Sequence, residues 1–417
     1  MGNLRQVIIG NGVASISAIK AIRQVDRSCS ITVISAENCN AYSPVLLTYY
    51  LKGQISREHL FIVDSSFYRM NNIKTKFGIK AEGVDALRQT VQLEDGGNVG
   101  YDNLLIATGA CPVSLVSPRE KPDNVFSLRT IEDAERILEC VKTAKEVVLI
   151  EGGLVNLQIV DALFREGIRF TIVELARQVL YGCVDADCAA IIKRQIESQG
   201  VSVLLGERVT GISKRGNKAI VTLASGGELV ADMVIVGIGV RPDTQFLSNS
   251  GVKVDRGILV DELMRTNIHN IFAAGDVSEG ENLVTGKKEV LPNWINACKQ
   301  GRIAGVNMSG KQERYEGGLR DTIVTIFGLT AASVGLSEAS NDDGVTELAF
   351  SDSDRKTYMK IMVADNRIVG MILLGRTGKA GMLRNLLKNR KEISTWKGKL
   401  ARNALDLREL LPALAGS

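Results

Sequence analysis

The chain has 417 residues, 45% of them hydrophobic and 24% charged, and a formal net charge of +4. That length holds two or three domains, and so small a net charge gives no electrostatic footprint for nucleic acid. Aromatic residues are only 5%, too few for base-stacking platforms, and no apolar run approaches the ~18–20 residues that span a bilayer.

The first element predicted is the strand Val7-Ile8-Ile9, which comes so early that no signal peptide is expected. It runs into Gly10-Asn11-Gly12-Val13-Ala14-Ser15, then a helix over Val13 to Arg23, then the strand Ile31-Thr32-Val33-Ile34 and the acid Glu37. Strand, glycine turn, helix, strand and acid form the βαβ unit that holds a dinucleotide. The first glycine permits a tight turn and the second lets backbone approach a pyrophosphate. The helix N-terminus offers unpaired N–H groups to the phosphates. Glu37 is placed to accept the ribose hydroxyls, and Ser15 is a small replacement for the usual third glycine.

A proline-started helix is expected after Ser43-Pro44, closed by Gly53. Strand alternation follows through Lys74–Leu93, with a hairpin turn at Asp95-Gly96-Gly97. A buried strand then ends in Ala107-Thr108-Gly109, where the chain can pass close to a cofactor.

About 140 residues after the first unit the pattern repeats, which suggests a second nucleotide-binding domain. Val147–Ile150 is its strand, Glu151-Gly152-Gly153-Leu154-Val155-Asn156 its turn, Leu157 to Gly167 its helix, and Phe170–Glu174 its second strand with a terminal acid. The strand from Met233 through Gly239 to Pro242 mirrors the earlier one, and Ile271-Phe272-Ala273-Ala274-Gly275-Asp276 is another that ends in Gly-Asp. A helix is signalled at Pro292-Asn293-Trp294. Beyond Leu319, strands are expected at Thr322–Phe327, Tyr358–Val363 and Ile368–Leu374, with a basic helix from Met382 to Trp396. Ser337–Gly344 is the one stretch with the composition of a disordered loop.

The order and spacing of these four motifs resemble the FAD-dependent pyridine nucleotide-disulfide oxidoreductase superfamily over essentially the whole chain. The likeness is greatest to the branch without a redox disulfide: rubredoxin and ferredoxin reductases and the flavin modules of NADH-dependent nitrite reductases. The look of the N-terminal segment and the chain length also resemble the flavoprotein subunits of multisubunit 2-oxoacid:acceptor oxidoreductases. The fold so implied is α/β, with two nested Rossmann-like dinucleotide-binding domains plus a C-terminal α+β interface domain. Its divisions are an FAD-binding domain in two parts (1–111 and 241–318), an NAD-binding domain (112–240) and the interface domain (319–417). The resemblance assigns FAD to Gly10, Gly12, Val13, Ala14, Ser15, Glu37, Ala81, Thr108, Gly109 and Asp276. It assigns NAD(H) to Gly152, Gly153, Val155, Glu174 and Gly239. Asp276 would bind the ribityl chain, and Val155 would stand where the family keeps a residue that gates the ring. No side chain is named for proton transfer, because hydride transfer between nicotinamide and flavin needs positioning rather than an acid or base.

Two departures from the family pattern matter. Glu151 and Asn156 replace the first and third glycines of the second turn. Glutamate strains a tight turn and sets a carboxylate near the pyrophosphate, while asparagine asks the helix to sit further from the strand. Three readings stay open: NAD(H) binds with Glu151 turned away, it binds weakly with help from a partner, or the domain is vestigial. Glu174 favours the first, since a carboxylate suits the free hydroxyls of NAD and repels the 2′-phosphate of NADP. The other departure is Ser43, which stands where related disulfide reductases and oxidases keep a thiol.

The seven cysteines are scattered and odd in number, which fits a reducing cytoplasm rather than a disulfide framework. Cys39 precedes the expected helix, and the Cys183/Cys188 pair follows the second acid, so neither is expected to be a redox centre. His59 and His269 have no Cys or His at ligand spacing, and no cysteine pattern supports an iron–sulfur cluster, so no bound metal is expected. Electrons that reach the flavin would leave to an iron–sulfur or ferredoxin-like partner, within a hetero-oligomeric 2-oxoacid oxidoreductase complex on the closer resemblance. Lys379–Arg408 holds nine Lys or Arg and two acids, with Leu383, Leu386, Leu387, Ile393 and Trp396 among them. Such a surface suits either an acidic partner or plain solvation. Membrane and nucleic acid are not expected partners. The alternatives are an FAD-bound assembly or sensor subunit with a decayed NAD site, and a stand-alone NADH oxidase, disulfide reductase or ferredoxin reductase.

Overall fold

Five parallel strands carry the first sheet. In a computed structural model, which describes residues 4–116, 122–338, 344–352, 354–394 and 398, the chain opens with β1 (Arg5–Ile9), α1 (Val13–Val25), β2 (Ser30–Ser35) and α2 (Leu47–Leu51). β3 (Ile73–Phe77) and β4 (Asn103–Ile106) follow, then β5 (Glu146–Ile150), α3 (Leu154–Leu163), β6 (Arg169–Glu174), α4 (Ala186–Glu197) and β7 (Met233–Val236). The chain then supplies β8 (Ile271–Ala273) and α5 (Trp294–Met308). Cα packing divides it into two units: Met1–Tyr50, Ile55–Cys111 and Val240–Gly318 form one, and Leu51–Gln54, Pro112–Gly239 and Leu319–Ser417 the other.

In the first unit the strand order is β8-β4-β1-β2-β3, with Ile9 opposite both Ile34 and Ile106 and Phe272 opposite Leu105. Strands β1, β2, β4 and β8 are buried along most of their length, as a sheet covered on both faces requires, while the edge strand β3 exposes Lys74 and Thr75. Connections leave β1 for β2 on one side and return to β4 on the other, which opens a crevice at the carboxyl ends of these strands. Helix α1 buries Ile16, Ile19 and Ile22, each of which gains about 1.5–3 kcal/mol from leaving water. Its partner α5 comes very close. A Cβ on Gly301 would stand 2.1 Å from the Ala14 oxygen, and one on Gly305 would stand 2.4 Å from the Ala18 oxygen. The Gly-x-x-x-Gly spacing thus seats α5 directly on the backbone of α1.

The second unit repeats this order. Strand Ser202–Leu205, β6, β5, β7 and Val125–Phe126 lie side by side, all parallel, with Ile150 opposite both Val173 and Val236. The helix expected over Leu157 to Gly167 instead spans Leu154–Leu163. It starts three residues sooner because Gly153 is its N-cap. It stops sooner because Phe164 is extended and a turn closes at Gly167, whose φ is +85°.

The same unit holds an antiparallel sheet of β9 (Asp321–Ile326), β10 (Leu329–Gly335), β11 (Thr346–Asp352), β12 (Thr357–Ala364) and β13 (Arg367–Leu374), in the order β9-β10-β13-β12-β11. The strands β10 and β11 carry no sequence expectation, because small and polar residues mask their alternation. The expected basic helix is shorter than read: α6 spans Ala380–Lys388. Leu383, Leu386, Leu387 and Ile393 are all buried, so the apolar side of this stretch belongs to the domain's own core. Arg384 pairs with Asp321. Lys397, Lys399, Arg402, Arg408 and Trp396 lie outside the described residues, as do residues 339–343 of the loop.

A polar cluster joins β12 to α4 within this unit. Tyr358 Oη donates to Asp185 Oδ2 at 2.5 Å, and Lys360 Nζ lies 3.2 Å from the same oxygen and 2.8 Å from Glu347 Oε1. Asp185 also caps α4 by accepting from the Cys188 N–H at 3.1 Å. Lys360 is only 7% exposed, so its charge is sustained by these two carboxylates. Among the described residues no helix is long and apolar enough to cross a membrane.

Candidate functional site

Gly10 ends β1 with φ +106°, and a Cβ there would stand 2.1 Å from the carbonyl oxygen of Ala107 at the end of β4. Only glycine allows these two strand ends to meet so closely. At Gly12, by contrast, a Cβ would meet nothing within 4 Å. Gly12 is the N-cap of α1 and gives no side-chain cap, so the N–H groups of the first turn lack a side-chain acceptor at the positive end of the helix. Ser15 does more than fit: its Oγ donates to the Gly10 oxygen at 2.8 Å and ties the helix to the turn.

Topology brings the other candidates to the same edge. Thr108 and Gly109 follow β4, where Thr108 Oγ1 donates to the Asp243 oxygen at 2.9 Å. Gly275 and Asp276 follow β8, and a Cβ on Gly275 would lie 3.4 Å from the Ala14 side chain. Glu37 follows β2, exposed, and its Oε2 accepts from Tyr42 Oη at 2.8 Å. Ala81 is buried at the start of a separate antiparallel meander (Ala81–Asp85, Thr90–Leu93, Asn98–Gly100). An uncapped helix N-terminus, a turn with glycine on both sides of Asn11 and an acid after the neighbouring strand fit the diphosphate and ribose of a dinucleotide.

Several residues that hold this edge escaped sequence reasoning. Asn11 donates to the Cys39 oxygen at 3.1 Å and accepts from Tyr68 Oη at 2.8 Å, which fixes the loop after β2 against the turn. Gln300 on α5 accepts from the Gly275 N–H at 2.8 Å and from Ser278 Oγ at 3.0 Å, so it orients the Gly-Asp segment. Asn11 lies between the two glycines and could have been suspected; nothing in the sequence marks Tyr68 or Gln300.

The second edge is built differently. Glu151 occupies the place of Gly10 with φ +73°, a left-handed conformation that costs a side-chain-bearing residue about 1–2 kcal/mol. Asn156 does not push the helix away, as its size suggests. It is 1% exposed, and its Nδ2 donates to the oxygens of Ile150 and Glu151 at 2.7 and 2.8 Å. This is the counterpart of the Ser15 contact. Room for it comes from Gly237, where a Cβ would stand 2.5 Å from Asn156 Oδ1 and where the first unit has Ala107.

The two acids are not equivalent by register. Gly10 N bonds to the Ile34 oxygen and Glu151 N to the Val173 oxygen, so Glu174 matches Ser35, and the counterpart of Glu37 is Ala176. Glu174 is 5% exposed and each of its oxygens accepts one backbone N–H: Oε2 from Gly152 at 2.8 Å and Oε1 from Ala176 at 2.7 Å. Gly153 caps α3 without a side-chain bond, so this helix too presents unpaired N–H groups. Val155 is 44% exposed in the first turn of α3, and Gly239 follows β7 with φ +94°. Burial, and beyond it the Glu174 carboxylate, pushes the Glu151 carboxyl above its ordinary value.

Ser43 is buried just before Pro44–Leu46, a single 3₁₀ turn that leads into α2. All seven cysteines are free thiols. Cys39 is pushed up to about 11 by burial and by the nearby Glu37 carboxylate, and burial raises Cys183 and Cys188 as well. All three are protonated thiols at neutral pH and poor nucleophiles.

The family described as pyridine nucleotide-disulphide oxidoreductase matches residues 4–301, and the C-terminal domain of rubredoxin NAD+ reductase matches residues 322–391. The chain is 30% identical over 403 residues to the epsilon subunit of an NADH-dependent phenylglyoxylate dehydrogenase from Aromatoleum evansii, across 96% of this chain and 95% of that one. It is 30% identical over 306 residues to a rubredoxin-NAD(+) reductase from Pseudomonas putida, across 73% of this chain and 80% of the relative. A solved covalent putidaredoxin reductase–putidaredoxin complex overlays with a TM-score of 0.91 over 100% of both chains; at 24% identity the likeness is one of fold.

Proposed function

This chain belongs to the pyridine nucleotide-disulphide oxidoreductase family, and from that premise we propose that it exchanges electrons between NAD(H) and a separate iron–sulfur protein. It is an NAD(H)-dependent flavoprotein oxidoreductase that uses FAD and NAD. When bound, FAD supplies hydride exchange with the nicotinamide and single-electron exchange with the carrier. The residues do the positioning. Gly10, Gly12 and the first turn of α1 receive the FAD diphosphate, Glu37 the adenosine ribose, and Ala81, Thr108, Gly109 and Asp276 the rest of the cofactor. Gly152, Gly153, Val155, Glu174 and Gly239 hold NAD(H). The FAD domain comprises 1–111 and 241–318, the NAD domain 112–240 and the interface domain 319–417.

The observation that carries this reading is Ser43. On the family resemblance, this buried hydroxyl stands where thiol-dependent members hold a cysteine, and Cys39 close by is a protonated thiol. Electrons therefore have no disulfide on the chain to enter, and an external carrier is the consistent outlet. More finely, the chain is the flavoprotein subunit of a 2-oxoacid dehydrogenase complex, with phenylglyoxylate as substrate class of the whole assembly. Support for this comes from the Aromatoleum relative, which matches end to end. Seven free thiols support a reducing, cytoplasmic setting. Glu151 favours a second reading, an FAD-bound assembly or sensor subunit that no longer uses NAD(H).

Adding NADH without oxygen to the yellow protein tests the two. Rapid bleaching of the flavin band, followed by reoxidation on addition of an iron–sulfur acceptor, is expected. A flavin that stays oxidised, with acceptor present, would leave only the second reading.

A further inference from the structure

Glu151 sits in the turn of the second unit that a dinucleotide diphosphate would touch, and its backbone leaves it little freedom. Its N–H donates to the Val173 oxygen at 2.7 Å, its carbonyl accepts from Asn156 at 2.8 Å, and its φ is +73°. The side chain is half-buried beside Glu174. Glu174 cannot turn away to relieve it, because both of its oxygens are bound to backbone N–H groups.

We infer that Glu151 is an affinity-determining residue of the NAD(H) site, where it makes dinucleotide binding take up a proton and tighten as the pH falls. The inference rests on NAD(H) binding at this turn. A diphosphate brings two negative charges to the N-terminus of α3, whose N–H groups attract it. A carboxylate in the same turn repels it. A protonated carboxyl removes that repulsion and gains an O–H donor for a phosphate oxygen. The proton comes from solvent, and no other bond changes.

Little else around the turn carries charge. Glu174 is the one carboxylate contributed by β6. The first turn of α3 (Leu154, Val155, Asn156) and the segment after β7 (Gly237, Ile238, Gly239) have no titratable side chain. Val179 and Leu180, packed against Gly152, are apolar, and Arg177 on the same loop is exposed. Burial and Glu174 both hold the Glu151 proton on, above the ordinary carboxylate value.

The test uses the flavin-loaded full chain and NAD+, which does not reduce the flavin further. Calorimetry between pH 6 and 8.5 should show Kd rising with pH, by up to about tenfold per unit where the slope is steepest. Repeating it in buffers of different ionisation enthalpy should show uptake of up to about one proton. Glu151→Gln should flatten the profile, abolish proton uptake and tighten binding about tenfold at pH 8. Glu151→Gly removes the charge a second way and should flatten the profile equally. A pH-independent Kd in the unaltered chain, or a slope that survives in both variants, overturns the inference. Absence of NAD+ binding together with absence of flavin reduction by NADH at every pH overturns the underlying NAD(H) reading instead.

Discussion

The missing side chain of Gly10 and the carbonyl of Ala107 occupy the same space: a Cβ on one would stand 2.1 Å from the oxygen of the other. Gly12, two residues on, faces nothing within 4 Å. The two glycines are therefore required for different reasons, one by the fold and one by whatever enters the crevice.

Gly10→Ala is expected to destabilise the protein by about 2–5 kcal/mol, the sum of a collision and a left-handed backbone. Gly12→Ala should leave thermal unfolding of the flavin-free protein almost unchanged while weakening FAD retention. Melting curves with and without FAD separate the two. Equal losses of stability would contradict this division.

Gly237 and Asn156 are expected to be coupled. Gly237→Ala drives a methyl into the Asn156 amide and should cost about 1–3 kcal/mol. Asn156→Ser, which copies the Ser15 arrangement of the first unit, should recover most of that loss when the two are combined. A double-mutant cycle by urea unfolding measures the coupling, and simple additivity would show that the two positions are independent.

The parallel sheets, the helices and the carboxyl-edge crevices were legible in the sequence because a glycine turn between a β-branched strand and an apolar helix has few other uses. The motifs lie at strand ends, and in the first unit the topology alone gathers three of them, residues 10–12, 107–109 and 274–276. Register was not legible. Glu37 and Glu174 look equivalent as terminal acids, yet they differ by two residues relative to the strand, and in a sheet that moves a side chain one full pleat along. Compensation was not legible either. Asn156 reads as damage until Gly237, 81 residues away by its number, is seen to make room for it. Helix α6 read longer than it is because basic residues continue beyond Lys388 while the backbone turns at Arg390, where φ is +48°.

Ser43→Ala should leave flavin reduction by NADH within about twofold of the unaltered rate in anaerobic stopped-flow. A loss of two or more orders of magnitude would assign this hydroxyl a chemical role that the reading denies it.

Glu151 also bears on stability. Its carboxyl is held above the ordinary 4.5, so the folded state binds the proton more tightly than the unfolded chain. Stability then falls as the pH rises from about 4.5 through the raised value, and is flat beyond it. Glu151→Gln should match the parent near pH 4 and melt higher at pH 8. Parallel melting profiles across that range would refute the sign.

Lys360→Ala removes a buried cation from Asp185 and leaves Tyr358 beside an uncompensated carboxylate. A loss of about 3–5 kcal/mol is expected in urea unfolding. Lys360→Met, which keeps the apolar stem, should lose less if packing rather than charge dominates.

The nested order of the two sheets has a consequence for biosynthesis. Every strand of the second parallel sheet, from Val125–Phe126 to β7, has been made by the time residue 236 leaves the ribosome. The first sheet still lacks β8, and α1 still lacks α5, although β1 was synthesised first. The N-terminal strands must therefore wait with one edge and one helix face uncovered until residues 271–308 arrive. Such long-range closure slows folding and exposes apolar surface meanwhile. The second parallel sheet is complete before the one whose strands flank it in the chain, and the flanking sheet is where a nascent chain would need a chaperone.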